Sequence, residues 1–176
     1  ASAAVDKYQL SPNTLVFFNG GNYTLYKKNV MSTQHNRWTR GMSIKEAFAR
    51  SINTVFGRLT FEHLQPKDLE DYAIRYGFNQ KIASDLPFEN GFADIPNEKS
   101  FHLAEIASGY NKVTRMSPIQ GAMIGASIAA DGDMKVPYVV DQILGPDNEV
   151  VFNAEPVTLA QTLSADGAQK LRTMME

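Results

Sequence analysis

The chain has 176 residues, 43% hydrophobic and 20% charged, which suits one domain with a real core and excludes a disordered tail. A formal net charge of −2 without a basic block argues against a nucleic-acid surface. Cysteine is absent, which removes disulfides, thiolate zinc sites and thiol chemistry, and His35, His63 and His102 lack ligand spacing, so no metal or cofactor is expected.

In chain order, residues 1–9 read as the tail of a helix. Leu10-Ser-Pro-Asn-Thr14 is a turn, since Pro12 fixes φ and Ser11 and Asn13 favour local side-chain bonds. Residues 14–18 and 23–26 flank Asn19-Gly-Gly-Asn22 and read as a short hairpin. The stretch 27–39 is polar and irregular, with Trp38 as a local packing anchor because of the area an indole buries. Ser43-Ile-Lys-Glu46 has the form of a capping box and opens a helix; Ile44, Ala47 and Phe48 form its buried stripe, and Val55, Phe56 and Leu59 form another further on.

Pro66 opens a second helix, closed by Gly77. Residues 79–99 form a long loop of the kind that is often functional. Its acids Asp85, Glu89, Asp94 and Glu98 lack the spacing of a calcium loop and are expected to be solvated. Residues 100–109 give a short helix. Residues 117–132 give a small-residue helix with Ser117 as cap and Pro118 at its first position, expected to pack on neighbours on several sides. Met123 and Met134 are expected in the core. Residues 136–144 and 149–153 read as a hairpin, and Ser164 starts a last helix. The sum is a helix-dominant α+β fold. The longest weakly polar run, residues 121–130, is far short of the roughly 18–20 apolar residues of a membrane span, so no span is expected, and no signal peptide is recognisable. The chain opens without Met and stops inside a helical pattern, so truncation at both ends is expected.

Ser51 and Asn53 interrupt the helical pattern that begins at Ser43. Helical residues lie about 100° apart, so in a straight helix Ser51 would fall within the Ile44–Phe48–Val55 stripe and Asn53 about 200° away. The two could not then serve one site. Two readings follow. Either the helix is continuous, with Ser51 bonded back to a carbonyl and Asn53 solvated, or it breaks near Ser51 and both residues point into a cleft. Ser and Asn suit a break because both are N-capping residues.

Residues 41–59, Gly-Met-Ser-Ile-Lys-Glu-Ala-Phe-Ala-Arg-Ser-Ile-Asn-Thr-Val-Phe-Gly-Arg-Leu, resemble the second signature segment of penicillin-binding proteins, the serine D,D-transpeptidases that cross-link peptidoglycan. Ile44, Glu46, Ala47, Ser51, Asn53, Thr54 and Phe56 occupy the places of that pattern. Residues 69–79 resemble the next helix of the family, residues 107–140 a later segment, and residues 10–14 the stretch after the nucleophile helix. The order is the family's along nearly the whole chain. Two motifs are missing: no serine has Lys three residues on, and no Lys-Thr/Ser-Gly occurs. Thr24-Leu-Tyr-Lys27 matches the first only loosely. Gly109-Tyr-Asn111 also departs from the family's Gly-Gln-Gly.

The resemblance therefore implies a single partial domain, residues 1–176, the middle of a penicillin-binding protein/serine β-lactamase-like transpeptidase fold without its nucleophile helix and terminal sheet strands. It implies Ser51 as a proton relay towards the leaving amine and Asn53 as a ligand of the substrate amide. A hydroxyl and a neutral amide each both donate and accept, as those roles require. The expected partners are peptidoglycan stem peptides, β-lactam antibiotics for the parent protein, and other cell-wall synthesis proteins. The expected location is periplasmic or at the outer face of the cell membrane, with the chain inactive by itself. The alternatives are a non-catalytic scaffold or β-lactam sensor of the same fold, and an unrelated helical interaction domain, which requires a straight helix through Ser51 and Asn53.

Overall fold

Most helices begin where a serine or proline answers the free N–H groups of the first turn. Ser43, Ser100, Ser117 and Ser164 accept backbone N–H bonds from Glu46, Leu103, Gln120 and Gly167 at 3.1, 3.3, 3.2 and 3.0 Å. These bonds open α3 (Ile44–Ala49), α6 (Phe101–Ser108), α7 (Pro118–Ala129) and α8 (Ala165–Met175) in the computed structural model, which describes residues 1–85 and 87–176. Only half of the expected box at Ser43 forms, because the Glu46 carboxylate turns to Arg50 at 3.3 Å. Pro66 opens α5 (Pro66–Arg75), and Gly77, at φ +81°, supplies the left-handed turn after it. The remaining helices are α1 (Ser2–Asp6), α2 (Lys27–Met31) and α4 (Asn53–His63).

The strands form three antiparallel ribbons. The first pairs β1 (Leu15–Phe18) with β2 (Arg40–Ser43), Leu15 opposite Ser43 and Phe18 opposite Arg40. This corrects the expected hairpin of residues 14–18 with 23–26. The loop 19–23 is drawn away from β1 by Arg40, whose guanidinium donates to the Gly20 carbonyl and the Asn22 side chain at 2.6 and 2.9 Å. Leu25, the one buried apolar residue of 23–26, then drops into a small cluster with Val30 and Ala104. Trp38 is no anchor: it is 67% exposed, with the Arg37 guanidinium 4.6 Å from its ring centre.

The second ribbon joins β3 (Asp133–Lys135) to β6 (Thr158–Gln161), and the third joins β4 (Gln142–Leu144) to β5 (Val150–Asn153). The third is the expected hairpin, shortened because residues 136–141 are not strand. The second was not foreseen. It forms because Gly132, at φ +90°, turns the chain against Leu163, where a Cβ would meet the Leu163 carbonyl at 2.2 Å.

The main core lies between α1, β1, α3, α4, α5 and α8, around Val5, Phe18, Ile44, Leu59, Leu163 and Leu171. Met123 and Met134 are buried in a smaller cluster with Ile82, as expected. Among the described residues, helix α7 packs on one side, burying Gln120, Met123, Ser127 and Ile128 and exposing Ala122, Ala126 and Ala129, and not on several sides as expected. The described residues of the loop 79–99 are held from outside. Gln120 accepts from Gly91 N–H at 2.5 Å and donates to the Tyr76 carbonyl at 3.0 Å, and the Asn79 side chain bonds Ala93 N–H and C=O. Asp85 accepts from Val139 and Val140 N–H at 3.0 and 3.2 Å, bonds that hold its carboxyl below the usual range.

Two carboxylates tie α1 in place. Asp6 accepts from Tyr72 OH at 2.5 Å, from Ser164 N–H at 3.1 Å and from the Ser164 hydroxyl. Asp68 is buried and accepts from Lys7 at 2.5 Å, Tyr8 OH at 2.7 Å and Gln65 N–H at 2.7 Å. Burial opposes ionisation of each, but the donors outweigh it and hold both carboxyls below the usual range. Burial and then the bond to Asp6 push the Tyr72 phenol well above its usual value, so it stays a donor.

Folded-state values below the unfolded one, about 3.9 for Asp, mean that this stabilisation is present above that pH and is lost as pH falls through the folded values. The urea midpoint is therefore expected to fall on acidification below about pH 4, and less so in the Asp6→Asn/Asp68→Asn variant. Asp68→Ala is expected to cost about 1–3 kcal/mol because it removes three hydrogen bonds to a charged acceptor. An acid response of the double variant equal to that of the wild type would refute the assignment.

Candidate functional site

The chain turns sharply between α3 and α4, and Ser51 is the residue that turns. Ser51 N–H bonds the Phe48 carbonyl at 3.1 Å and Ile52 N–H bonds the Ala47 carbonyl at 2.9 Å. That pair of bonds is the Schellman ending of a helix, with Ser51 at the position that glycine normally takes. Ser51 has φ +52°, a left-handed conformation that costs a residue with a Cβ about 1–2 kcal/mol. Ile52, the next residue, is fully buried and anchors the turn in the core. Across the break, the Phe48 and Phe56 rings pack edge to face at 6.2 Å.

The straight helix required of an unrelated helical domain is therefore not formed. The break differs in kind from the one expected. Neither Ser51 nor Asn53 is the N-cap of α4; Ile52 stands there, and Ser51 ends α3 instead of starting α4. The two residues flank Ile52. Ser51 is exposed and Asn53 is half-buried at the first position of α4.

Asn53 donates through Nδ2 to the Tyr23 carbonyl at 2.8 Å. Beside it, Thr54 donates through its hydroxyl to the Gly21 carbonyl at 2.6 Å and through its N–H to the Asn22 carbonyl at 3.2 Å. The loop 20–23 is thus strapped across the start of α4, with Arg40 holding its other side. Sequence reading placed Thr54 only as a pattern position, Asn22 and Tyr23 only in the expected hairpin, and gave Arg40 no part in the site. The Gly-Gly-Asn run was a signal for the loop, but nothing local pointed to α4 as its dock. Beside the turn, the Glu46–Arg50 pair at 3.3 Å is exposed and adds little.

The arrangement offers a hydroxyl that can donate and accept on an exposed turn, next to an amide already fixed on one side. Its geometry is held by backbone bonds and a buried isoleucine, which is the preorganisation a polar site needs.

The comparisons with known proteins agree in direction. A family model described as penicillin binding protein transpeptidase domain matches residues 1–176. The peptidoglycan D,D-transpeptidase PbpA of Mycolicibacterium smegmatis is 27% identical over 137 residues, covering 76% of this chain and 27% of that protein. The chain thus spans about a quarter of that relative's length. Among solved structures, the D,D-transpeptidase domain of a peptidoglycan glycosyltransferase from Eggerthella lenta has a TM-score of 0.78 at 25% identity, covering 98% of this chain and 44% of that one. The imipenem acyl-enzyme complex of penicillin-binding protein A from M. tuberculosis has a TM-score of 0.77 at 23% identity, covering 99% and 40%.

If Ser51 is held left-handed by the turn, glycine there should be tolerated and a β-branched residue should not. Ser51→Val is expected to unfold at lower urea than Ser51→Gly, by about 1–3 kcal/mol in stability. Equal midpoints for the two would show that the turn does not constrain this position.

Proposed function

The chain belongs to the penicillin-binding protein transpeptidase domain family, and we propose that it supplies the middle motif of a peptidoglycan D,D-transpeptidase, with Ser51 and Asn53 as its working residues. The single observation that carries this reading is the hydroxyl of Ser51, kept at a left-handed helix end where glycine would be free of strain. Gln9, Asn79, Asp131 and Asn148 also have positive φ, but Ser51 alone of the five stands at a position of the family's signature segment, which is what turns its conformational cost into support for a function.

In this reading the reaction passes through an acyl-serine. A serine outside this sequence attacks the carbonyl of a stem peptide, its proton passing to a neighbouring lysine. The C–N bond breaks, and Ser51 relays a proton to the departing amine nitrogen. The amine of a second stem peptide then attacks the acyl carbonyl, releases the serine and completes the cross-link. Asn53, with its Nδ2 partly committed to the Tyr23 carbonyl, presents its remaining donor and its oxygen to the substrate amide.

The attacking serine must come from elsewhere in a longer protein, because the 176 residues contain no Ser-x-x-Lys and no Lys-Thr/Ser-Gly. A chain that spans about a quarter of its curated relative accords with that. Acylation by β-lactams belongs to the same proposal, in line with the acyl-enzyme state of the M. tuberculosis relative. So does a location outside the cytoplasmic membrane, where stem peptides are joined. No described helix is long and apolar enough to cross a membrane.

Intact-mass measurement of the 176-residue chain after incubation with imipenem is expected to find no covalent increment; an adduct would overturn the assignment of the nucleophile to another segment. In the longer protein, Ser51→Ala is expected to slow acylation by about 10²–10⁴-fold. Ser43→Ala, which removes only a helix cap on α3, is expected to leave the rate near that of the wild type. An unchanged rate for Ser51→Ala would refute the relay and favour a scaffold role for this motif.

A further inference from the structure

The β4–β5 ribbon pairs with no third strand among the described residues, and every residue of both strands is exposed. Ile143 lies opposite Phe152, at 48% and 47% exposure, and Leu144, Val150 and Val151 are no better covered. A lone two-stranded ribbon is marginal in water, and its free edges invite pairing. Edges of this kind are usually blunted by lysine. Here no Lys or Arg occurs from Val136 to Gln169, whereas Asp141, Asp147, Glu149 and Glu155 frame the apolar residues. None of these four carboxylates is in an ion pair among the described residues.

The β1–β2 ribbon has the opposite character. Between Asp6 and Glu46 the chain carries six Lys and Arg residues and no acid. Lys7 is spent on Asp68, but Lys27, Lys28, Arg37 and Arg40 are exposed. Lys27, Lys28 and Arg37 lie in the connection between β1 and β2, and Arg40 opens β2; the connection is held at the ribbon's end, where Asn19 bonds the Gln34 carbonyl and Thr39, and Arg40 bonds Gly20. On the ribbon's outer side Leu15 and Phe17 are exposed, Phe17 against His35 at 5.5 Å between ring centres. One chain therefore carries an apolar strip framed in negative charge and an apolar strip framed in positive charge.

We propose that these strips are partners, and that the acidic β4–β5 ribbon of one copy docks on the basic β1–β2 ribbon of a second copy. The occupant is a second copy because each strip finds its complement in charge and apolar character on the same chain. Like strips face to face would oppose like charges, which costs affinity. The contact is head to tail. Each added copy leaves one strip of either kind free, so association is open-ended unless the rotation closes a ring. The attraction is screened by salt because the charges sit at the surface.

Sedimentation equilibrium of the longer protein that carries these residues tests this. The weight-average mass is expected to rise with concentration, with dissociation constants of about 10–100 µM, and to fall back on going from about 50 mM to about 500 mM salt. Asp141→Lys/Glu155→Lys neutralises one strip, and Lys28→Glu/Arg37→Glu neutralises the other. Each variant alone is expected to remain monomeric with the circular dichroism of the wild type, and an equal mixture of the two is expected to associate again. A wild type that is monomeric throughout, or a mixture that stays monomeric, would overturn the proposal. So would association of the Lys28→Glu/Arg37→Glu variant at wild-type strength, since that result means β4–β5 edges pairing with each other.

Discussion

The carboxylate of Asp6 joins parts of the chain that lie 158 residues apart, and the arrangement of the helices depends on it. Helix α1 has five residues, too few to persist by its own hydrogen bonds. It is ordered because Ala3, Ala4 and Val5 are buried and because Asp6 binds Tyr72 of α5 and Ser164 at the start of α8. Lys7 and Tyr8, just beyond its end, answer the buried Asp68, which lies one turn from Tyr72 on the same face of α5. Two acids on two helices thus exchange partners across one seam. A buried carboxylate is costly unless its lone pairs are met, and here several donors converge on each. The same bonds that depress the acidities therefore orient α1, α5 and α8 around the core.

Against that seam, α3 and α4 need to change direction within two residues. Arg50 is the last helical-side residue of α3 and Ile52 is already extended. The intervening Ser51 accepts the left-handed conformation, and the core takes Ile52 in return. Burying an isoleucine side chain gains about 1.5–3 kcal/mol, which exceeds the 1–2 kcal/mol cost of a left-handed residue. The break is thus stable without a ligand, and a polar turn can be displayed with no help from what it binds.

Helix starts were legible because their chemistry is local: Ser43, Ser100, Ser117, Ser164 and Pro66 each act within one turn. Fold class followed from periodicity. The family was legible from the ordered run of motifs, which is joint information that no single turn holds. Strand pairing was not legible. Residues 23–26 read as well as a partner for β1 as residues 40–43, and the choice was made by Arg40 and by a pocket for Leu25, both far away in sequence. Trp38 misled for a related reason. Its size argues for burial, but an arginine beside it can cover an indole at the surface. The one-sided packing of α7 was also hidden, because alanine and glycine are compatible with either a crowded or an open face.

At the site itself, spacing gave the strongest clue and the reason for it was incomplete. Two polar side chains at i and i+2 cannot share a side of a helix, so a break was a physical alternative to coincidence. The residue types suggested that the break would cap the following helix. The structure instead uses Ser51 to end the preceding one. The distinction bears on chemistry. An N-capping serine commits its oxygen to a backbone N–H, whereas a serine at the left-handed end of a helix is held by its backbone alone. The turn sets the Ser51 backbone without using the hydroxyl's lone pairs, while Asn53 spends one donor on the Tyr23 carbonyl of the loop strapped to α4. A hydroxyl left free by its turn, beside an amide with a donor and an oxygen to spare, is what the proposed relay requires.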